Sequence, residues 1–139
     1  MNKIGSLIPI LIVALNTLAV ILQWGSLSEV LPAHYDLQGN AGGTMPRSML
    51  LLYILVECVI CIATYLIGRM KPKLQTCLDV LASGICLVLF LSTMVTLTSG
   101  TMPIFMLAEP IILLVTVIGF IVCVVKSRKK EGLIVIENI

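Results

Sequence analysis

The chain has 139 residues, of which 59% are apolar and 12% charged, with a formal net charge of +2 and a mean hydropathy of +1.13. A soluble domain of this length cannot hide that much hydrocarbon, and a disordered or nucleic-acid-binding chain carries far more charge. Those three classes are excluded, and what remains is a single domain whose solvent is lipid.

Four apolar stretches, residues 4–24, 48–68, 77–99 and 104–125, are predicted to cross a bilayer as helices. Roughly 20 helical residues match the ~30 Å hydrocarbon core, and these runs are continuously apolar rather than alternating as barrel strands are. The first stretch follows Lys3 and ends at Trp24, whose amphipathic ring suits a membrane interface. Its apolar core is longer than that of a signal peptide, and no small-residue cleavage site follows, so it reads as an uncleaved anchor. Along one of its faces lie Pro9, Asn16, Ala19 and Gln23.

The loop after it, Leu31-Pro32-Ala33-His34-Tyr35-Asp36-Leu37-Gln38-Gly39-Asn40-Ala41-Gly42-Gly43-Thr44, holds the only histidine of the chain. Pro32 extends its predecessor, while Gly39, Gly42 and Gly43 supply turn conformations closed to other residues. Such a loop is expected to be ordered over the helix ends. In the second span, Tyr53, Glu57, Cys61, Thr64 and Gly68 share a face, with Glu57 near the midplane. A carboxylate there costs about 2.5–3.5 kcal/mol, so Glu57 is expected to face protein or a water-filled cavity.

The turn 69–73 carries Arg69, Lys71 and Lys73. Asp79 follows at the start of the third span, where a helix N-terminus and these cations suit it. After an uncharged turn at 100–103, the fourth span presents Glu109, Thr116, Gly119 and Cys123 on one face, with Pro110 next to Glu109. Stripes of small and polar residues are what membrane helices use where they pack closely. The chain ends in a basic tail, Lys126, Arg128, Lys129 and Lys130, expected to anchor the last helix on anionic lipid. Residues 132–139 then alternate in a way that suits a short strand or an interfacial segment. Lys3, the basic turn and the tail fall on one side and Arg47 alone on the other, so the positive-inside rule puts both termini in the cytoplasm. The resulting fold class is an all-α four-helix membrane bundle with an ordered extracytoplasmic loop.

Five cysteines, Cys58, Cys61, Cys77, Cys86 and Cys123, lie in or at the ends of spans. Within apolar helices they read as small packing residues rather than as a disulfide framework, the Cys58–Cys61 pair included.

A first span followed by Leu31, Pro32, His34, Tyr35, Asp36 and Gly39 resembles L-P-x-H-[FY]-[DN]-x-x-G, the signature of a small bacterial membrane domain of unknown function. That domain also forms the N-terminal part of proteins similar to the immunity protein against the sporulation-delaying toxin. The resemblance covers residues 4 to 69, and the later spans only in layout. It implies a bacterial cytoplasmic (inner) membrane protein with its functional candidate in the outer loop.

Three functions follow as expectations. In the first, the chain is an immunity-like binding module for an extracytoplasmic peptide or small ligand. His34, Tyr35, Asp36 and Gly39 make the contacts, Leu31 and Pro32 shape the loop, and Gln23, Glu57 and Glu109 form a buried polar floor. In the second, Glu57 and Glu109 carry protons in a small transporter, which at this size calls for a homodimer or larger assembly. In the third, His34, Asp36, Glu57 and Glu109 offer one nitrogen and three oxygen donors to zinc or another divalent cation in a membrane enzyme. Against that last reading, the chain has no H-E-x-x-H arrangement, and no second histidine to activate Ser28, Thr44 or Ser48.

Overall fold

The computed structural model describes residues 5–36, 38, 40–99 and 103–137. The elements run α1 (Leu7–Gln23), β1 (Val30–Tyr35), β2 (Ala41–Pro46), α2 (Met49–Met70), a single 3-10 turn (Pro72–Leu74), α3 (Gln75–Leu97) and α4 (Pro103–Glu137). Among the described residues three helical segments are long and apolar enough to cross a membrane: Met49–Met70, Pro72–Leu97 and Leu107–Arg128. Helix α1 is equally greasy but has only 17 residues, about 26 Å of rise. Leucines and isoleucines stand exposed along α1, α2 and α4, among them Leu11, Leu22, Leu55, Ile62, Leu114 and Ile121, as a lipid-facing surface requires.

Helix α3 is the spine of the bundle and packs against each of the other three. It buries Cys77, Asp79, Ala82, Gly84, Cys86, Leu91, Thr93, Val95 and Thr96, spread around its circumference rather than confined to one stripe. The faces expected of the other helices are the ones turned inward. Pro9 and Asn16 are buried on α1, Glu57 and Gly68 on α2, and Thr116 on α4. Cys61 Sγ lies 4.0 Å from Cys86 Sγ across the α2–α3 contact.

In hydrocarbon every polar group needs a partner within the protein. The threonines solve this inside their own helices. Thr17, Thr64, Thr93, Thr96 and Thr116 each donate a hydroxyl to the carbonyl four residues earlier, at 2.7–3.0 Å. The acids cannot, and each is met from another helix or its flank. Asn16 Nδ2 donates to Glu57 Oε1 at 2.8 Å, and Ser92 Oγ to Glu109 Oε1 at 3.0 Å. Gln75 Nε2 and Ser6 Oγ donate to Asp79 Oδ1 at 2.8 and 3.1 Å. Asp79 is thus held by neutral donors rather than by the cations of the basic turn.

Two expectations change. The loop after α1, expected to be ordered within an all-α fold, is a two-stranded antiparallel sheet, with Val30 opposite Pro46, Leu31 opposite Met45 and His34 opposite Gly42. Residues 132–137 form no strand, because α4 runs unbroken through the basic tail to Glu137, and 138–139 lie outside the described residues. Lys, Arg and Glu are good helix formers, and nothing between Lys126 and Glu131 interrupts a helix already nucleated in the span.

Candidate functional site

The hairpin is set on the bundle by one apolar pair. Leu31 and Met45 face each other across the ladder, both buried, in a cluster with Val20 and Leu50 against which Trp24, Leu27, Tyr53 and Leu97 pack. At its base Arg47 donates its backbone N–H to the Glu29 carbonyl at 2.9 Å, and its guanidinium sits 5.0 Å from the Trp24 ring centroid. That cation–π contact ties the exit of the hairpin to the end of α1.

At the tip, Asp36 closes the turn. Its Oδ1 accepts the backbone N–H groups of Gln38 and Asn40 at 2.9 and 2.8 Å, and Oδ2 accepts Asn40 Nδ2 at 2.8 Å. A short acid that gathers successive amides is the usual way to fix a tight turn. Its carboxylate is spent mainly on the loop itself.

Beneath the hairpin lies a cavity of about 540 Å³. His34, Tyr35, Asp36 and Gln38 form its roof, and Tyr53 of α2, Ser92 and Thr96 of α3 and Glu109 of α4 form its wall and floor. Residues expected to meet, His34, Tyr35, Asp36 and Glu109, therefore do share one space. Tyr35 lines it, while the Tyr35 hydroxyl itself is shut off from solvent and has no hydrogen-bond partner among the described residues. A shielded hydroxyl without a partner carries a desolvation cost. Glu109, held on one oxygen by Ser92, is the acid of this cavity whose carboxylate is not folded into the turn.

The remaining expected site residues lie elsewhere. Glu57 faces Asn16 between α1 and α2, fully buried, and is not part of the cavity lining. Gln23 ends α1 and accepts Ser26 Oγ and the Ser26 N–H on its backbone carbonyl at 2.8 and 2.9 Å, also outside the lining. Leu31 belongs to the apolar cluster and Pro32 pairs with Thr44 in the ladder. Gly39 lies outside the described residues. The four-donor metal set does not assemble, and among the described residues no three His, Cys, Asp or Glu side chains form a group able to hold a metal ion. The reason is local: Asp36 is turned onto its own loop amides and Glu57 is drawn to Asn16. For the same reason Glu57 and Glu109 sit in two separate environments rather than along one path.

Ser92 and Gly42 join the site without having been expected there. Ser92 carries no sequence signal beyond being a polar residue in an apolar run. Gly42 was visible only as a turn former, yet its role is to leave room. A Cβ at Gly42 would lie 2.8 Å from His34 Cδ2 and closer still to Nε2, so the imidazole rests directly on the glycine. The neighbouring Gly43 adopts φ +64°, a conformation that side chains resist. In Gly42→Ala the exposed His34 ring is expected to swing away at a stability cost under about 1 kcal/mol. Because the chain has a single histidine, its imidazole NMR resonances report this directly; unchanged shifts would contradict the contact.

Comparison with known protein families, with curated proteins and with solved structures finds no match to this chain.

Proposed function

We propose that this is a four-span protein of a bacterial cytoplasmic membrane, both termini inside, whose hairpin-roofed outer cavity binds an extracytoplasmic peptide segment or small ligand. Helix α1 is taken as the fourth span: its exposed leucines and isoleucines ask for lipid, and Trp24 extends it toward an interface. The observation that carries the binding reading is the cavity itself, in which Glu109, His34 and Tyr35 line one volume of about 540 Å³. Its lining is mostly polar, with Ala33 and Val95 as the apolar residues, so hydrogen-bonding groups rather than a greasy frame would orient a guest. With Glu109 as its free-standing acid, the cavity suits a guest that brings an amino group or other hydrogen-bond donors. The resemblance to immunity-type membrane domains points the same way, toward a secreted peptide.

The test uses the full-length chain in lipid nanodiscs against a panel of secreted cationic antibacterial peptides. A member of the panel is expected to bind, and Glu109→Gln is expected to weaken it by about tenfold, the worth of a hydrogen bond to a charged group. Tyr35→Phe is expected to weaken it by less, and Glu57→Gln not at all. Cells carrying the gene should survive that peptide better than cells without it. Binding indifferent to Glu109 and Tyr35, or equal killing across the panel, would remove the proposal.

A further inference from the structure

A second pocket, of about 550 Å³, lies at the opposite end of the bundle, between the 69–73 turn and the far part of α4. Its rim is basic: Lys71 and Lys73 come from the turn, Arg128 from α4, and the Ser127 hydroxyl sits beside them. Its wall is apolar, made by Leu78 of α3 and by Phe120 and Val124 of α4. No acidic side chain lines it among the described residues.

The rim is rigid on both sides. Lys71 N–H donates to the Ile67 carbonyl at 2.8 Å, and Leu74 N–H to the Lys71 carbonyl at 2.9 Å, so Pro72 and the 3-10 turn fix the spacing of the two lysines. On the other side, α4 stays helical beyond its apolar part, which carries Ser127 and Arg128 past the turn as a stiff post rather than as a loose tail. Had the chain frayed after residue 125, these cations would form a diffuse anchor with no fixed partner.

We propose that this pocket holds the headgroup phosphate of one anionic phospholipid, with an acyl chain lying down the apolar wall. The exposed cations Lys71 and Arg128 on one pocket lining with the Ser127 hydroxyl match a phosphate, and basic pockets between membrane helices at the cytoplasmic level are suited to such headgroups. The greasy wall continuous with the rim argues for a lipid over a free anion, because inorganic phosphate gains nothing from Leu78, Phe120 and Val124. The site is separate from the outer cavity and does not depend on what that cavity binds.

The experiment is lipid retention by the purified full-length chain, read by native mass spectrometry from a neutral detergent. Phosphatidylglycerol, phosphatidylcholine and inorganic phosphate are the three probes. The wild type is expected to keep one phosphatidylglycerol, to prefer it to phosphatidylcholine by about tenfold, and to keep it in the presence of phosphate. Lys71→Gln with Arg128→Gln is expected to abolish that preference. Arg69→Gln with Lys126→Gln, which removes the same charge from positions outside the pocket, is expected to preserve it. All four side chains are exposed, so both pairs leave the fold intact. Equal loss in the two pairs would reduce the effect to general surface attraction and overturn the site. So would equal retention of phosphatidylcholine, or displacement of the lipid by phosphate.

Discussion

Glu57→Ala is expected to be among the most damaging single substitutions in the bundle, and Glu57→Gln among the mildest. Glu57 is wholly buried at the α1–α2 contact, where Asn16 Nδ2 donates to its Oε1 at 2.8 Å. Its other oxygen, Oε2, and Asn16 Oδ1 are both buried with no hydrogen-bond partner among the described residues. The pair thus has one bond made and two acceptors left over. Alanine removes the one bond, strands the Asn16 amide and leaves a hole, together about 3 kcal/mol or more. Glutamine keeps the shape and replaces the surplus acceptor with an N–H donor suited to Asn16 Oδ1, so its effect should stay within about 1 kcal/mol and can be stabilising. Asn16→Leu combined with Glu57→Leu is expected to lie much closer to wild type than either alone, because replacing both members leaves nothing stranded. Thermal unfolding midpoints in detergent give the order. If alanine and glutamine melt together at position 57, the pair is not what holds α1 to α2.

Three helices long and apolar enough to cross a membrane were legible because continuous apolarity over about 20 residues has few other meanings. The inward faces were legible because small and polar residues recur at helical spacing, as Tyr53, Glu57, Thr64 and Gly68 do. Which acid meets which donor was not, since that depends on the rotation and height of one helix against another. Asn16 sat on the expected stripe without being paired with Glu57, and Ser92 and Ser6 had nothing to distinguish them. The hairpin hid for a different reason. Pro32, Gly42 and Gly43 argue against a central strand, but a two-stranded sheet consists only of edges, where proline's missing N–H costs little. The His34–Asp36 neighbourhood and Glu109 were found because an imidazole or carboxylate in so apolar a chain is conspicuous. Gly42 was missed because a glycine that yields space to a ring looks the same as one that makes a turn.

Four side-chain pairings, between Asn16 and Glu57, Ser92 and Glu109, Ser6 and Asp79, and Gln75 and Asp79, hold the acids Glu57, Glu109 and Asp79. They differ in accessibility, and that difference separates structure from function. Glu57 is sealed, and Asp79 is held by two donors at once near the end of the bundle. Glu109 alone borders the hairpin-roofed cavity. A buried polar group that is fully enclosed can specify which helices meet, whereas one at the wall of a cavity can exchange its partner for a guest. Gly68 serves the Asp79 cluster, since a Cβ there would lie 2.4 Å from Gln75 Cδ and 2.9 Å from Nε2 and would push aside the amide that reaches Asp79.

Gly84→Ala is expected to part α3 from α4. A Cβ at Gly84 would lie 2.6 Å from Thr116 Cβ, with the threonine methyl and hydroxyl nearer still. Thr116 cannot turn away cheaply, because its hydroxyl is bound to the Ile112 carbonyl at 2.7 Å and its Cβ is fixed to the helix. The backbones must therefore separate, at a cost of about 1–3 kcal/mol, and Gly84→Leu should cost more. Thr116→Ala in the Gly84→Ala background relieves only part of the clash, because the Cβ remains. Thr116→Gly in that background moves the glycine across the contact and is expected to recover most of the loss, less about 1 kcal/mol for a glycine inside a helix. Ser92 lies eight residues beyond Gly84, about 12 Å along the same interface, so separating the helices also pulls the Ser92 hydroxyl from Glu109. Peptide binding should then fall with the unfolding midpoint in Gly84→Ala and return with it in the Thr116→Gly double variant. A Gly84→Ala chain that melts with wild type, or a double variant no better than the single, would show that α3 and α4 do not depend on this approach.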